Sequence, residues 1–467
     1  MIQEDGYALF RYLRHVALHG LRSGAAMGGD RVIPVQSIWR ESAQLPRFEP
    51  LHSDLRTDVL VIGGGLAGIL CAYMLHVSGV KYALVEAKTI CSGVTGNTTA
   101  KITAQHGLIY GKLMKQRGTD GARMYLQANQ QALAAYRSLC SGMDCDFETK
   151  DNYVYSRHDR SRLDRELSAL QKLGASARLA TGLPLPVDTV GAVCMPDQAQ
   201  FNPLKFVSAI SKNLHIHENT PVIELAPGYA RTLHGNIHAE RMIIATHFPM
   251  LNKHGGYFAK LYQHRSYVLA LENAADVRGM YVDEADEGMS FRNCHNLLLM
   301  GGGDHRTGKS VGGWRELYSF ADRYYPQARP VCQWATQDCM SLDGAPYIGQ
   351  YARRTPGLYV LTGFNKWGMT GAMVGAMLIR DTLLDRTPDW AEVFLPSRSM
   401  LHAQLWINVM ESALGLLTPT SPRCPHMGCA LKYNSQEHSW DCPCHGSRFS
   451  EEGDLIDNPA TGNLKRK

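Results

Sequence analysis

The clearest pattern along the chain is the apolar run Val59-Leu60-Val61-Ile62 after Asp58, which lacks the polar alternation of a half-exposed strand. Such a run predicts a parallel strand covered on both faces. It leads into Gly63-Gly64-Gly65-Leu66-Ala67-Gly68, and apolar positions then continue at helical length through Ile69, Leu70, Ala72, Met74 and Leu75 to a stop at Ser78-Gly79. Tyr82-Ala83-Leu84-Val85 predicts a second strand, ending on Glu86. Farther on, Asp151 to Tyr155 and Phe258 to Leu271 are rich in strand formers. Arg160 to Leu173 has helical periodicity with its charges on one face, and Met400 to Leu417 also reads as helix. We find no internal repeat and no low-complexity linker.

Strand, G-x-G-x-x-G, helix, strand and acid together form a dinucleotide-binding fingerprint. Gly63 permits the tight turn, Gly65 lets the backbone approach a pyrophosphate, and Gly68 lets the helix pack closely on the strand. Leu66 and Ala67 open that helix, whose free N–H groups and partial positive charge favour phosphates. Glu86 is placed to accept hydrogen bonds from a ribose 2′-OH. A plain glycine turn would not bring all four flanking elements with it. The motif alone does not separate FAD from NAD.

The order of the later motifs does, by resemblance. Gly93 to Lys101, with Thr95, Thr98 and Thr99, resembles the second nucleotide-contacting loop of the D-amino-acid oxidase and glycine oxidase superfamily. His217 to Val222 is similar to the strand that covers the adenine in that group. Met242 to Thr246 resembles its "ATG" turn, with His247 in place of the final glycine. Gly363-Phe364-Asn365-Lys366-Trp367-Gly368-Met369-Thr370 resembles the closing strand-to-helix segment, whose backbone amides approach the flavin. The resemblance covers about residues 55 to 385. It implies FAD, with Val222, Gly363, Gly368, Met369 and Thr370 among its contacts.

The tail reads Cys424-Pro425-His426-Met427-Gly428-Cys429 and then Cys442-Pro443-Cys444-His445-Gly446-Ser447. This C-x-H…C-x-x-H spacing is the ligand pattern of a Rieske [2Fe–2S] centre: thiolates Cys424 and Cys442 on one iron, imidazoles His426 and His445 on the other. Structural zinc is the competing reading, but zinc motifs pair like ligands at C-x₂₋₄-C and H-x₃₋₅-H. Resemblance to the cytochrome bc-type Rieske family implies a disulfide between Cys429 and Cys444. It also implies that Ser447 hydrogen-bonds a bridging sulfide, while Phe449 replaces a tyrosine donor. The loss of that donor predicts a potential between the dioxygenase-type and respiratory extremes. The strands that usually precede the first ligand loop are largely missing, so the cluster unit is expected to lean on the flavin domain.

Composition narrows the picture. The chain has 467 residues, 45% hydrophobic and 19% charged, with a net charge of +5, ordinary for a globular protein. Basic residues do not cluster outside Lys465-Arg466-Lys467, so nucleic acid is not an implied partner. No apolar stretch is long enough for a transmembrane helix, and residues 1–35 lack a secretory pattern. These features predict a cytoplasmic enzyme, with an N-terminal extension or a start at Met27. Of 12 cysteines, the eight outside the tail are expected to be buried, reduced thiols.

The expected architecture is α/β, α+β overall. A Rossmann-like FAD-binding domain (55–395) carries an inserted mixed-sheet substrate domain, roughly 140–205 and 250–335. Residues 1–54 form an extension, 396–423 a helical linker and 424–467 a small β-rich Rieske unit. His106 either faces the flavin or satisfies local backbone; Lys366-Trp367 shapes the flavin face or simply packs. Gly301 to Arg306 is a turn lining the flavin pocket rather than a P-loop. Arg265, Tyr267 and Tyr257 are candidates for substrate contact. The implied activity is an FAD-dependent dehydrogenase acting on a small amine or amino-acid-like substrate, with electrons relayed singly through the cluster to an external one-electron acceptor. Two alternatives stand: a reductase with electrons entering through the cluster, and a non-catalytic electron-transfer module.

Overall fold

The computed structural model describes residues 33–251, 254–285, 288–309, 312–419 and 422–465; of the proposed extension at 1–54, residues 1–32 and the Met27 start lie outside them, while Ile38 and Trp39 are buried in the main core. The apolar run and its flanks become the strand Leu55–Ile62, continuously buried at its C-terminal end. It is the centre of an eight-stranded sheet ordered Tyr347–Gln350, Leu358–Thr362, Asn236–Ile244, Leu55–Ile62, Tyr82–Val85 and Ile216–His217, with the hairpin Val222–Ala226 and Tyr229–Thr232 attached to Asn236–Ile244. Its five central strands run parallel, as a doubly wound nucleotide-binding sheet requires. The helix Leu66–Val77 packs against the helix Gly368–Leu383, and both are almost wholly buried.

A nine-stranded mixed sheet supplies the second layer. Its order is Arg329–Ser341, Leu261–Glu272, Leu297–Arg306, Ser290–Cys294, Met280–Asp283, Glu148–Ser156, Gly191–Gln200 and Lys101–Ile102, with Arg178–Ala180 paired to Gly191–Gln200. The predicted strand at Phe258 begins only at Leu261, because Tyr257–Lys260 form a helical turn. Gly301 to Arg306 is not a turn but the end of the strand Leu297–Arg306. Gly303 takes φ +63 there, and a Cβ would lie 2.4 Å from Gly313 O, so only glycine allows the two backbones to meet.

The C-terminal region has its own four-stranded antiparallel sheet: Lys432–Asn434, Ser439–Asp441, Arg448–Ser450 and Leu455–Asp457. Ahead of it stands the helix Ala403–Leu417, in place of the missing strands. The small core here is built on the ligand cysteines, Leu431, Phe449 and Ala460. No helix among the described residues is long and apolar enough to cross a membrane.

Candidate functional site

The glycines of the fingerprint have separable reasons. A Cβ at Gly68 would lie 1.8 Å from Gly63 O, and one at Gly63 would lie 2.6 Å from Ala245 O, so the packing of strand, turn and helix forbids side chains there. Gly65 is different. Its Cβ would meet only Thr95 Oγ1, at 3.5 Å, and its φ of −74° suits any residue. The protein itself does not need a glycine at 65; a group bound against the backbone does. This open cradle fits a pyrophosphate.

Gly63, Gly65, Leu66 and Ala67 line one cavity of ≈ 1460 Å³, together with Glu86, Thr95, Thr98, Thr99, Val222, Gly368 and Met369. Glu86 accepts hydrogen bonds from the N–H groups of Gly64 (2.6 Å) and Lys88 (2.9 Å), and Thr95 Oγ1 accepts from Leu66 N–H (2.9 Å). Gly68, Gly363 and Thr370 do not line the cavity. Gly363 sits behind it against Leu261 and Ser341, and the Thr370 hydroxyl is buried between His106 Nε2 (2.9 Å) and Thr103 O (3.1 Å). His106 does reach the cavity: its ring stacks on Trp367 at 5.0 Å, and Nδ1 bonds Tyr125 OH at 2.7 Å. Burial pushes its pKa down to about 3, so it is a neutral imidazole.

The cavity is also lined by Asp304, Asp338 and Lys366, whose meeting no local pattern announces, because each comes from a different strand of the nine-stranded sheet or from the flavin loop. Asp304 forms an ion pair with Lys366, and its second oxygen, Oδ1, is buried with no hydrogen-bond partner. Asp338 accepts from Ser266 Oγ (3.1 Å); burial raises its pKa to about 6, with Lys366 opposing.

The four cluster-ligand candidates converge. Cys424 and Cys442 are buried together in the small core of this unit. The rings of His426 and His445 lie 4.9 Å apart, nearly perpendicular. His445 Nδ1 is buried with no hydrogen-bond partner, and burial lowers the pKa of His445 to about 3 and of His426 to about 4. Two thiols, two neutral imidazoles and an orphaned ring nitrogen fit a Rieske-type cluster. Cys429 and Cys444 are joined by a disulfide, with Cα atoms 6.6 Å apart. Ser447 Oγ accepts from Ala460 N–H (3.0 Å), and Phe449 is fully buried in the same core. The eight other cysteines are buried free thiols.

The cluster unit is docked on the flavin region through its histidine side. Phe248, next to the "ATG"-like turn, lies edge-on to both His426 (6.3 Å) and His445 (6.4 Å), and Phe258 lies edge-on to His445 (6.4 Å). Arg265 and Tyr267, candidates for substrate contact, line the cavity and are also engaged with the cluster unit. Arg265 forms a buried ion pair with Glu437 of the cluster unit, and Tyr267 OH donates to the same carboxylate (2.9 Å). Arg448 completes the network on Glu437 (2.8 Å), Asp441 (3.0 Å) and Asp457 (3.1 Å). Tyr257 is buried against Tyr351 and donates to Tyr351 O.

Residues 58–382 match the family "FAD dependent oxidoreductase", and residues 397–466 match the Rieske [2Fe-2S] domain. YhfW of Bacillus subtilis, which carries the name Rieske 2Fe-2S iron-sulfur protein, is 30% identical over 92% of this chain and 97% of its own length. A stretch of 37 residues is 43% identical to a cytochrome b6-f complex iron-sulfur subunit of Synechocystis, covering 8% of this chain and 21% of that protein. Glycine oxidase from Geobacillus kaustophilus superposes with a TM-score of 0.62 at 20% identity, covering 74% of this chain and 100% of that one. L-proline dehydrogenase from P. horikoshii gives 0.63 at 16% identity, covering 75% and 98%. At these identities the two structures speak for the fold alone. The cofactors of this chain are FAD and a Rieske-type [2Fe–2S] cluster.

Proposed function

We propose that this chain, which belongs to the FAD dependent oxidoreductase family and carries a C-terminal Rieske [2Fe–2S] domain, works as a dehydrogenase that relays electrons internally. Bound flavin supplies a hydride acceptor for a C–H next to nitrogen, and the cluster supplies a one-electron exit to an external acceptor. The observation that carries this reading is the docking: the histidine side of the cluster loops faces Phe248 and Phe258 of the flavin region. The glycine cradle and Glu86 hold the nucleotide, Trp367 and His106 bound the cavity, and the buried Phe248 packs on the cluster-loop histidines.

The test is anaerobic. Primary and secondary amines, and the matching α-amino acids, are added to the oxidised enzyme while the visible spectrum and the EPR signal are followed. The expected result is flavin bleaching with a reduced-cluster signal appearing in step. Bleaching that leaves the cluster oxidised would sink the relay.

Within the substrate class, the cavity favours an amine over a carboxylate. Every arginine lining it is engaged: Arg40 with Ser92 O, Arg162 with Glu284, Arg265 and Arg448 with Glu437. Burial, with Arg292 nearby, lowers the pKa of Lys101 to about 7. Asp304 and Asp338 meanwhile set two carboxylates beside the ammonium of Lys366, while Lys88 and Lys112 also line the cavity. An isosteric pair that cannot be oxidised reads this preference by flavin absorbance. tert-Butylammonium is expected to bind at least roughly tenfold tighter than pivalate, a gap of about 1.4 kcal/mol, and Asp338→Asn to abolish the difference. Its affinity should rise with pH through about 6, as the Asp338 carboxylate ionises. Tighter pivalate binding would point to Lys101 and an acidic substrate instead.

A further inference from the structure

The second ligand loop gives its backbone carbonyls to side chains of the nine-stranded sheet. Arg306 donates from Nε to Pro443 O (3.2 Å) and from Nη2 to Cys444 O (3.3 Å). Gln263 Nε2 donates to His445 O (2.9 Å), and Gln337 Nε2 to Gly446 O (2.8 Å). All three donors are buried. Gly446 has φ +86, and a Cβ on it would lie 2.6 Å from Gln263 Cβ, so the loop backbone rests directly on the glutamine. Four successive carbonyls of a loop carrying two cluster ligands are thus held from outside the cluster unit, whose own core is small.

The same side chains reach back to the cavity. His247 lines it and donates from Nε2 to Gln263 Oε1 (3.0 Å). Gln337 Nε2 donates to that oxygen too (2.8 Å). His247 keeps a left-handed φ of 64°, a conformation that disfavours side chains; its ring contact with Gln263 accounts for a histidine there. Asn458 of the cluster unit clasps the flanking carbonyls, Thr246 O (2.6 Å) and Phe248 O (3.0 Å).

Arg306 adds charge to this clamp. Its guanidinium lies over the Tyr262 ring (5.0 Å) and donates to Asn408 Oδ1 (3.0 Å), and among the described residues it forms no ion pair. Glu411, the nearby carboxylate, is paired with Lys309. A buried cation beside the loop stabilises the extra negative charge of a reduced cluster.

We propose that Gln263, Gln337 and Arg306 are positioning residues for electron transfer into the cluster, and that the charge of Arg306 raises the cluster's reduction potential. Each pass moves one electron from reduced flavin to one ferric iron. The external one-electron acceptor then re-oxidises the cluster before the second electron follows. The positioning role rests on the relay proposed above; the potential does not.

Dye-mediated redox titration of the purified holoenzyme, read by EPR, tests the charge. Arg306→Gln is expected to shift the cluster's reduction equilibrium about tenfold toward the oxidised form, 59 mV for one electron, with iron and flavin content unchanged. Arg306→Lys should keep most of the wild-type potential. An unmoved potential in Arg306→Gln, or an equal fall in Arg306→Lys, overturns the charge role. Laser-flash photoreduction of the flavin tests positioning: Gln263→Ala and Gln337→Ala should slow the subsequent cluster reduction at least tenfold while leaving the potential in place. Wild-type transfer rates in both variants overturn it. A wild-type enzyme that passes no electron to the cluster fails the relay and the positioning role together, while the titration still decides the role of Arg306.

Discussion

Glu437→Ala is expected to release the cluster unit from the flavin region. The carboxylate is the shared partner of Arg265 and Arg448, whose side chains are only 4% and 5% exposed. Removing it leaves the buried Arg265 guanidinium without its carboxylate, while Arg448 keeps Asp441 and Asp457; breaking a buried pair in this way costs roughly 3–5 kcal/mol. The measurement is limited proteolysis with iron analysis. The variant should be cut within the segment that joins the two units and should lose its cluster, while flavin stays bound. A variant as resistant as wild type would show that the Gln263, Gln337, Arg306 and Asn458 contacts suffice for docking.

The same carboxylate carries a pH dependence. Burial alone would raise its pKa, but Arg265 and Arg448 outweigh burial and hold it down to about 2, against 4.5 in the unfolded chain. A carboxylate depressed in the fold contributes stability that is complete above its unfolded pKa and disappears as pH falls toward the folded one. Acid release of the cluster unit should therefore set in below about pH 4.5 and deepen toward about 2. Glu437→Gln should flatten this profile.

Gly68→Ala is expected to abolish the flavoprotein, and Gly65→Ala to spare the fold. At position 68 the new Cβ would sit 1.8 Å from Gly63 O, a backbone atom that moves only if the helix leaves the strand. Overpacking of this kind costs about 1–3 kcal/mol where neighbours yield, and more where backbone must shift. Soluble yield and flavin absorbance should both collapse. At position 65 the Cβ meets nothing closer than 3.5 Å. That variant should keep its melting temperature within a few degrees and lose FAD affinity by roughly tenfold or more. A Gly65→Ala protein that binds FAD as wild type does would show that no phosphate passes over this residue.

These contrasts separate what was legible in the sequence from what was not. The cofactors were legible because their sites are local. One strand, one turn and one helix build the cradle around Gly63 to Gly68, and two short loops carry Cys424, His426, Cys442 and His445. Spacing along the chain therefore dictates geometry in space. The Cys429–Cys444 pairing followed from resemblance, since the two cysteines sit on those same loops.

The sequence was less informative wherever function depends on residues meeting across sheets. Arg265 and Tyr267 were candidates for substrate contact, yet they anchor Glu437 from 170 residues or more away along the chain. Thr370 belongs to the flavin-loop motif, but its hydroxyl is held by His106 and Thr103 O, and the residue does not line the cavity. Asp304, Asp338 and Lys366 come from two strands and a loop, and no periodicity announces their meeting. By itself the sequence determined a dinucleotide fingerprint, the C-x-H…C-x-x-H pattern and the class of fold, because each is written in short-range spacing and apolar period; FAD rather than NAD came from resemblance. Only the tertiary structure decided which charges face the cavity and how the cluster unit is held. Those choices depend on strand order, and on which buried charges find partners once distant segments are brought out of water.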